Sequence, residues 1–248
     1  MALSETEDQG PSFPPVFSGM AAAHGLDPFD LAVDRAQQGI ESGLIVHRIR
    51  PDHLAAALVL APETKLEDAV VMALVAAVGF ADSFGSLAPS EVAVQFDWPG
   101  GLRINGAKCG KVRVAAPTRD PLAEPGWLVI GLEVPFFAQA LAEPGNTPDE
   151  TTLWDEGCSE IDPCRLLESW SRHTLVWIHQ WLEGGRARLL REWTGRAIGI
   201  GKPQEIVLAE RTFFGQFMGL DEKGGMLLKS AGTTQLLPLT LMLEGVGC

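Results

Sequence analysis

The chain has 248 residues, of which 46% are hydrophobic and 21% are charged, and its formal net charge is −13 at pH 7. This length predicts one full domain plus a small one, and the apolar content suffices for a core. The negative charge argues against general nucleic-acid binding, which depends on Lys and Arg neutralising phosphates. No uninterrupted apolar run reaches the ~18 residues of a membrane span, so no membrane partner is predicted.

The amino-terminal stretch from Met1 to Phe17 is polar and acidic and contains prolines. It lacks the basic start and apolar centre of a signal peptide, which predicts a disordered tail over residues 1–18 of a cytoplasmic protein. The cysteines do not have the paired spacing of a zinc site, and a chain of this size does not need disulfides. We interpret them as reduced thiols and predict no metal site. They are Cys109, Cys158, Cys164 and Cys248.

The first predicted elements alternate between helix and strand. Asp27-Pro28 predicts the start of a helix, with Asp as the N-cap and Pro at the first helical position. Gly43 ends this helix, and residues 44–46 read as a short strand. A loop over residues 47–52 and an apolar strand over residues 54–61 follow. Thr64-Lys65-Leu66-Glu67 has the pattern of a capping box and predicts one helix to about residue 84.

The segment from Val94 to Ala116 predicts two strands joined by a tight turn. Alternating apolar and polar residues indicate half-buried strands. Asn105-Gly106 is a strong hairpin signal, because both residues tolerate the positive φ of a type I′ turn. Four basic residues therefore lie on one small hairpin of an acidic protein: Arg103, Lys108, Lys111 and Arg113.

The second half of the chain predicts a buried strand, two helices and a small β unit. Residues 127–134 form the strand, and residues 138–158 read as an irregular acidic excursion on the surface. Asp162-Pro163 opens the longest helix, which ends near Gly184, and a further helix spans residues 186–196. Short strands bounded by turns then begin near Glu205, after a linker over residues 199–203.

The hairpin resembles a signature of a known family. Trp98-Pro99, followed ten residues after the Trp by Lys108 in a Lys-x-Gly context, is similar to the Lys-Trp-Pro-Asn-Asp…Lys-x-x-Gly pattern of biotin protein ligases and their lipoate-ligase relatives. Here Asp97 replaces the first lysine of that pattern, and Gly100-Gly101 replaces Asn-Asp. Lys111 stands where the pattern has its glycine.

The resemblance extends in order from about residue 26 to residue 243. The strand over residues 127–134 takes the place of the family's Val-Ile-Gly-x-Gly-x-Asn strand, in which only Gly131 is clearly kept. Residues 219–228 look like its C-terminal Gly-x-Asp-x-x-Gly-x-Leu turn. The resemblance implies an α+β fold, with a mixed sheet flanked by helices as in class II synthetase-like biotin/lipoate protein ligases. It also implies a catalytic domain over residues 19–202 and an SH3-like β-barrel over residues 203–248.

The same resemblance implies a function. Such a ligase activates biotin, lipoate or octanoate as an acyl-adenylate, with ATP and Mg as cofactors, and passes the acyl group to a lysine of a biotinyl or lipoyl carrier protein. Lys108 matches the lysine that lies against the carboxylate and the α-phosphate, where an ammonium stabilises developing charge. The implied assembly is a monomer or homodimer. The implied ligand-binding residues are Trp98, Pro99, Gly100, Gly101, Asn105, Gly110, Gly131, Arg48 and Arg50.

Other interpretations remain open. The family carries a Gly-Arg-Gly-Arg-x-Gly-Arg loop that wraps the adenylate, whereas this chain has no glycine from Leu44 to Val78, and Arg48 and Arg50 equally suit a solvated loop. A non-catalytic relative that binds a small acid, an acyl-adenylate or a carrier domain is therefore the alternative. Trp98-Pro99 equally suits an indole packed at a strand end. Cys109 and Cys158 are acyl-accepting nucleophiles in one reading and structural thiols in the other.

Overall fold

The computed structural model describes residues 10–39, 42–137, 149–208 and 211–244. These residues form a seven-stranded mixed sheet with helices on both faces, followed by a four-stranded antiparallel sheet. The predicted α+β class and the small C-terminal β domain are therefore confirmed.

The chain contains eleven strands in two sheets and five α-helices among the described residues. The strands of the large sheet are β1 Ser18–Ala21, β2 Leu44–Ile49, β3 His53–Leu60, β4 Val94–Asp97, β5 Gly101–Ile104, β6 Ala107–Ala115 and β7 Leu128–Pro135. The small sheet has β8 Pro203–Leu208, β9 Arg211–Leu220, β10 Met226–Ser230 and β11 Thr233–Leu237. The helices are α1 Pro28–Gln37, α2 Leu66–Ala69, α3 Met72–Gly85, α4 Pro163–Leu182 and α5 Arg186–Arg196. The large sheet has the order β1-β2-β3-β7-β6-β5-β4, and β1 alone among these pairs is parallel to its neighbour.

The two faces of the large sheet bury different helices. The main core lies on one face, where α3 and α4 pack on the sheet and on each other. On the other face, α1 packs three apolar side chains against the sheet. They are Phe29, Ala32 and Ala36. The predicted start of α1 is confirmed, because the Asp27 carboxylate accepts a hydrogen bond of 2.7 Å from the Phe29 amide.

Three local predictions were wrong. The first of the two strands predicted between Val94 and Ala116 is divided at residues 98–100 into β4 and β5, which pair antiparallel with each other. Residues 47–49 continue β2, so the predicted loop shrinks to a turn at residues 50–52. The capping box at Thr64 does not form: the amides of Leu66 and Glu67 donate instead to the carbonyls of Ala123 and Pro121. Backbone groups from a distant loop thus satisfy the helix start, and the predicted single helix is divided into α2 and α3.

The segment Leu66–Gly85 is long and apolar enough to cross a membrane by length and composition, and 83% of its most apolar window is buried inside the protein. Nearly every side chain of α3 contributes to the main core. A helix that is apolar all round is typical of the interior of a protein. This segment is therefore the central core helix.

Two predicted surface segments pack more closely than their composition indicates. Residues 1–9 and 138–148 lie outside the described residues. From residue 10 onward the predicted tail contacts the large unit, where Phe13 and Phe17 pack against the main core and the Ser12 amide donates to Glu168. The excursion after residue 148 buries Leu153 and Cys158 in the main core, so it is not purely a surface segment.

The small sheet is bound firmly to the large unit. Phe217 on β9 is 1% exposed and belongs to the main core, together with side chains of the large unit. The Trp98 indole N–H donates to the Gly224 carbonyl at 3.0 Å, and Lys223 pairs with Glu67 at 2.6 Å. Apolar, hydrogen-bond and ionic contacts therefore join the two sheets.

Candidate functional site

Lys108, the predicted catalytic residue, lies on β6 with its side chain exposed. Its backbone forms hydrogen bonds with Asp149 and Thr151, which fix the strand on its outer side. Within the described part of the chain its ammonium has no hydrogen bond and no ion pair, and Lys108 lines neither the cavity at Pro51 nor the cavity at Glu67. The adjacent Cys109 is buried, so the two side chains leave β6 in opposite directions.

The turn between β2 and β3 occupies the place predicted for a nucleotide loop. It contains Arg50, Pro51 and Asp52, and hydrogen bonds between Arg50 and His53 close it. The Arg50 guanidinium forms a bidentate pair with the Asp52 carboxylate, at 2.9 and 2.8 Å. The Arg50 guanidinium, which was predicted to contact a phosphate, is therefore paired with a carboxylate of the same turn. The turn also offers no run of free backbone amides that could bind an anion.

Charged side chains form one row across the α1 face of the large sheet. The strand register aligns Arg48 with Ala55, Ala55 with Glu133, and Glu133 with Lys111. The Arg48 guanidinium donates to the Leu26 carbonyl at 2.7 Å, and Lys111 pairs with Glu133 at 3.4 Å. These basic groups are therefore already engaged, and the centre of the row is a carboxylate.

The next row of the same face is filled by α1. Here Ala57, Gly131 and Arg113 are aligned, and the Phe29 ring lies directly on Gly131. A methyl group on Gly131 would come within 2.6 Å of the Phe29 ring. The Arg113 guanidinium covers the same ring at 4.1 Å from its centroid, a cation–π contact. The predicted ligand-binding Gly131 therefore faces an aromatic side chain of the same protein.

Arg113 also holds together an ion cluster that joins four parts of the chain. Its guanidinium donates to Glu244 at 2.8 Å, to Glu133 at 2.9 Å and to Asp27 at 3.1 Å. Burial lowers the pKa of Arg113, but the hydrogen bond and charge of Glu244, with the charges of Glu133 and Asp27, outweigh it and raise that pKa. The cluster therefore stays ionised and ties α1 to β6, β7 and the segment after the small sheet.

The predicted motif residues 98–101 are structural contacts in the fold. Trp98 is 5% exposed and bonds to the small sheet, and the peptide before Pro99 is cis. The Gly100 carbonyl accepts a hydrogen bond of 2.7 Å from Val112. Gly101 begins β5 opposite Asp97, too close for a side chain.

The turn residues of the hairpin are also accounted for. Asn105 and Gly106 have φ values of 50° and 94°, which confirms the predicted tight turn. The Asn105 side chain donates to Glu156 at 2.8 Å and accepts from the Ala93 amide at 3.0 Å. Gly110 has a φ of 118° at an irregularity between β5 and β6, and an added side chain would collide with the Glu133 carbonyl. This position requires glycine for backbone geometry.

The two candidate nucleophilic cysteines lie inside the protein. Cys109 is fully buried and Cys158 is 1% exposed. Burial, together with the charge of Glu156, raises the pKa of the Cys109 thiol to about 12 and also raises the pKa of the Cys158 thiol. Because the thiolate is the nucleophilic form, this environment favours the structural interpretation of both residues.

Comparison with known proteins identifies the family. Residues 13–195 match the biotin/lipoate A/B protein ligase family, and residues 208–245 match a domain of unknown function. The chain belongs to the biotin/lipoate A/B protein ligase family. It is 25% identical over 187 residues to a biotin–[acetyl-CoA-carboxylase] ligase of Paracoccus denitrificans, covering 75% of this chain and 78% of the relative. It is also 23% identical to the bifunctional ligase/repressor BirA of Bacillus subtilis, covering 70% of this chain and 52% of BirA.

Solved structures give the same relationship. A biotin protein ligase-like protein of unknown function from Silicibacter sp. TM1040 is 49% identical, with a TM-score of 0.88 over 95% of this chain and all of its own length. The biotin protein ligase of Aquifex aeolicus is 15% identical, with a TM-score of 0.69 over 89% of this chain and 92% of its own. The second likeness shows the fold alone. The Aquifex ligase has also been solved with biotin and ATP.

Two positions of the site depart from the ligase strand pattern that this chain resembles. Glu133 stands at the second glycine of the Val-Ile-Gly-x-Gly-x-Asn strand, and Phe29 covers the first, Gly131. Of the predicted site residues, Gly131 is covered by Phe29, Trp98 faces the small sheet, and Lys108 is exposed. Arg48 and Gly101 lie in the sheet opposite Ala55 and Lys111. The groups around Gly131 also do not fit the triphosphate of ATP, because a carboxylate and an aromatic ring occupy the face and the β2–β3 turn offers no free amides.

Sequence reasoning missed the cluster around Arg113. In the sequence, Arg113 is recognised only as one of four basic residues on the hairpin. A replaced family glycine at Glu133 was the one available signal. No local pattern connects Glu244 with Arg113, because 131 positions separate them in the chain.

Proposed function

We propose that this chain is a ligase-family protein that binds a carrier-protein domain in the cytoplasm without forming an acyl-adenylate. The observation that carries the proposal is the filled sheet face, where Phe29 lies on Gly131 and Glu133 points toward Arg113 and Lys111. A nucleotide phosphate at this face would meet a carboxylate in place of converging amides, which is unfavourable electrostatically.

The outer face of the small sheet supports a protein partner. The strand register places Val207 on β8 and Phe214 on the neighbouring β9 on one side of this sheet, where they are 64% and 61% exposed. Neighbouring exposed apolar side chains are typical of surfaces that bind other proteins. The resemblance to biotin ligases implies that a small C-terminal β domain helps to receive the carrier protein, so a biotinyl or lipoyl domain is the occupant that we propose.

An ATP–pyrophosphate exchange assay tests the absence of activation. We expect no exchange above background with biotin, lipoate or octanoate, because the phosphate-binding groups are replaced. The biotin ligase of Paracoccus denitrificans, assayed in parallel with biotin, shows that the conditions support exchange. Exchange by this chain that depends on any one acid would refute the non-catalytic assignment.

Titration calorimetry with isolated biotinyl and lipoyl domains tests carrier binding. We expect Phe214→Glu to weaken binding of the recognised domain at least about tenfold, because it places a charge in an apolar contact. Leu182→Glu is the matched control, since Leu182 is 75% exposed at the end of α4 in the large unit. Equal effects of the two substitutions, or no binding of either domain, would contradict the proposal.

Acyl transfer by Lys108 is the second candidate function. The observation that favours it is the unpaired ammonium of Lys108 within the described structure, which is available to a carboxylate. In this case biotin, lipoate or octanoate is the substrate, with ATP and Mg as cofactors. Acid-dependent exchange that Lys108→Met abolishes and Lys111→Met retains would favour this candidate over carrier binding alone.

A further inference from the structure

A cavity of about 330 Å³ borders the β2–β3 turn at the end of the large sheet. The β2–β3 turn, the end of β7 and the segment before α4 enclose it. Its volume lies at the lower end of the range for small-molecule sites, about 300–1,000 Å³. The residues that matter for its chemistry are Pro51, Phe137, Trp154, Glu160 and Asp162.

Two aromatic rings line this cavity and remain open to solvent. Trp154 is 52% exposed and Phe137 is 37% exposed, and their ring centroids are 4.8 Å apart. The Trp154 amide donates to the Phe136 carbonyl at 3.0 Å, which holds the segment of Trp154 against the end of β7. An exposed indole next to a cavity is a suitable surface for a ligand.

The charge of the lining is negative. Glu160 and Asp162 line the cavity, and no Lys, Arg or His lines it among the described residues. The nearby Arg50 is already paired with Asp52. The start of α4 contributes a partial positive charge of about half an elementary charge, which the two carboxylates outweigh. An anion or a carboxylic acid is therefore disfavoured here, whereas a cation is attracted.

We propose that this cavity binds a small organic cation with an alkylammonium group. Trp154 and Phe137 supply aromatic rings for a cation–π contact, and Glu160 and Asp162 supply the opposite charge, although Asp162 Oδ1 also accepts from the Arg165 amide at the start of α4. The apolar part of the cavity, including Pro51 and Phe136, suits the alkyl groups that such a cation carries. This inference is independent of the proposed carrier binding, because none of these residues lies in the small sheet or next to Gly131.

Calorimetry with choline and its uncharged isostere 3,3-dimethyl-1-butanol tests the proposal. We expect choline to bind with a dissociation constant of about 1 mM or below, and the alcohol to bind at least about tenfold more weakly, since only choline is charged. Nα-acetyl-lysine methylamide, titrated in parallel, distinguishes a free quaternary cation from a lysine side chain as the natural ligand. Tighter binding of one of the two cations identifies the source.

Substitutions locate the binding to the cavity. We expect Trp154→Leu to weaken choline binding about fivefold or more, and Trp154→Phe to retain most of it, because only Leu removes the aromatic face. Glu160→Gln should also weaken binding, whereas Glu183→Gln, an exposed carboxylate at the far end of α4, should not. Binding of choline and the alcohol with equal affinity, no binding of choline, or unchanged binding by folded Trp154→Leu would overturn the proposal.

Discussion

Glu133 holds two basic side chains that differ in exposure. The Arg113 side chain is 13% exposed and the Lys111 side chain 53% exposed, and each pairs with one oxygen of the Glu133 carboxylate. An exposed pair contributes little to stability because water and salt screen it, whereas removing one member of a buried cluster leaves unpaired charge behind. The two residues should therefore respond differently to the same substitution.

We expect Arg113→Ala to lower the free energy of unfolding by about 3 kcal/mol, since Glu133 and Glu244 lose their shared partner and the Phe29 ring loses its cover. Lys111→Ala, which removes the other partner of Glu133, should cost less than about 1 kcal/mol. Urea unfolding of both variants measures the difference. Equal losses would mean that Arg113 is not the centre of the cluster.

The Asp27 carboxylate makes the free energy of unfolding depend on pH in the acidic range. Burial raises its pKa, but the hydrogen bond from the Phe29 amide and the charge of Arg113 outweigh burial and lower that pKa below 3.8. A carboxyl whose pKa is lower in the folded state stabilises the fold fully above its unfolded pKa, and loses this contribution as the pH falls through the folded pKa. Urea unfolding from pH 6 to pH 2.5 should show a shallower acid loss for Asp27→Asn than for the natural chain. A steeper loss would reverse the assigned direction.

At the scale of elements, α1 packs on β7 through the contact between the Phe29 ring and Gly131. The Phe29 ring requires a glycine at position 131, since any side chain there would enter the space of the ring. A phenylalanine at position 29 therefore requires a glycine at position 131, and together the two residues fill this part of the sheet face.

A double-mutant cycle measures this contact. Phe29→Ala should cost about 3–5 kcal/mol through the lost apolar contact and the cavity left behind. Gly131→Ala alone should also destabilise the protein, because of the clash with the ring. Combined with Phe29→Ala, however, Gly131→Ala should cost little, a coupling of about 1 kcal/mol or more. Additive effects in urea unfolding would show that the ring and the glycine do not meet.

The elements that the sequence predicted well are those set by local chemistry. Asp27-Pro28 and Asp162-Pro163 start α1 and α4, and Asn105-Gly106 forms the turn, because the required groups are neighbours in the chain. The capping box at Thr64 failed because two carbonyls near residue 122 reach the same amides. The filled face around Gly131 was also beyond prediction, since four separate segments meet there only in the folded chain.

At the scale of the whole molecule, the two sheets are expected to unfold together. The Trp98 indole bonds to the buried Gly224 carbonyl, and Phe217 is part of the main core. Trp98→Phe removes the only hydrogen-bond donor that the indole supplies and should cost about 1–3 kcal/mol. Trp154→Phe, at an exposed position, is the control and should cost less than about 0.5 kcal/mol.

Hydrogen exchange followed by mass spectrometry shows whether the loss of stability in Trp98→Phe affects both sheets. In Trp98→Phe the amides of β9 in the small sheet and of β3 in the large sheet should lose protection by similar factors, because both open through the same global unfolding. A loss confined to β9 would show that the small sheet unfolds independently and that the contact at Gly224 does not couple the units.

The hydrogen bond between Arg113 and Glu244 joins residues 131 positions apart, and the small sheet lies between them in the chain. Ribosomes add about 5–20 residues per second, so roughly ten seconds pass between the synthesis of the arginine and that of the glutamate. Within this interval the ribosome adds β7, the last strand of the large sheet, long before it adds Glu244. The cluster around Arg113 is therefore completed only after the small sheet has been synthesised.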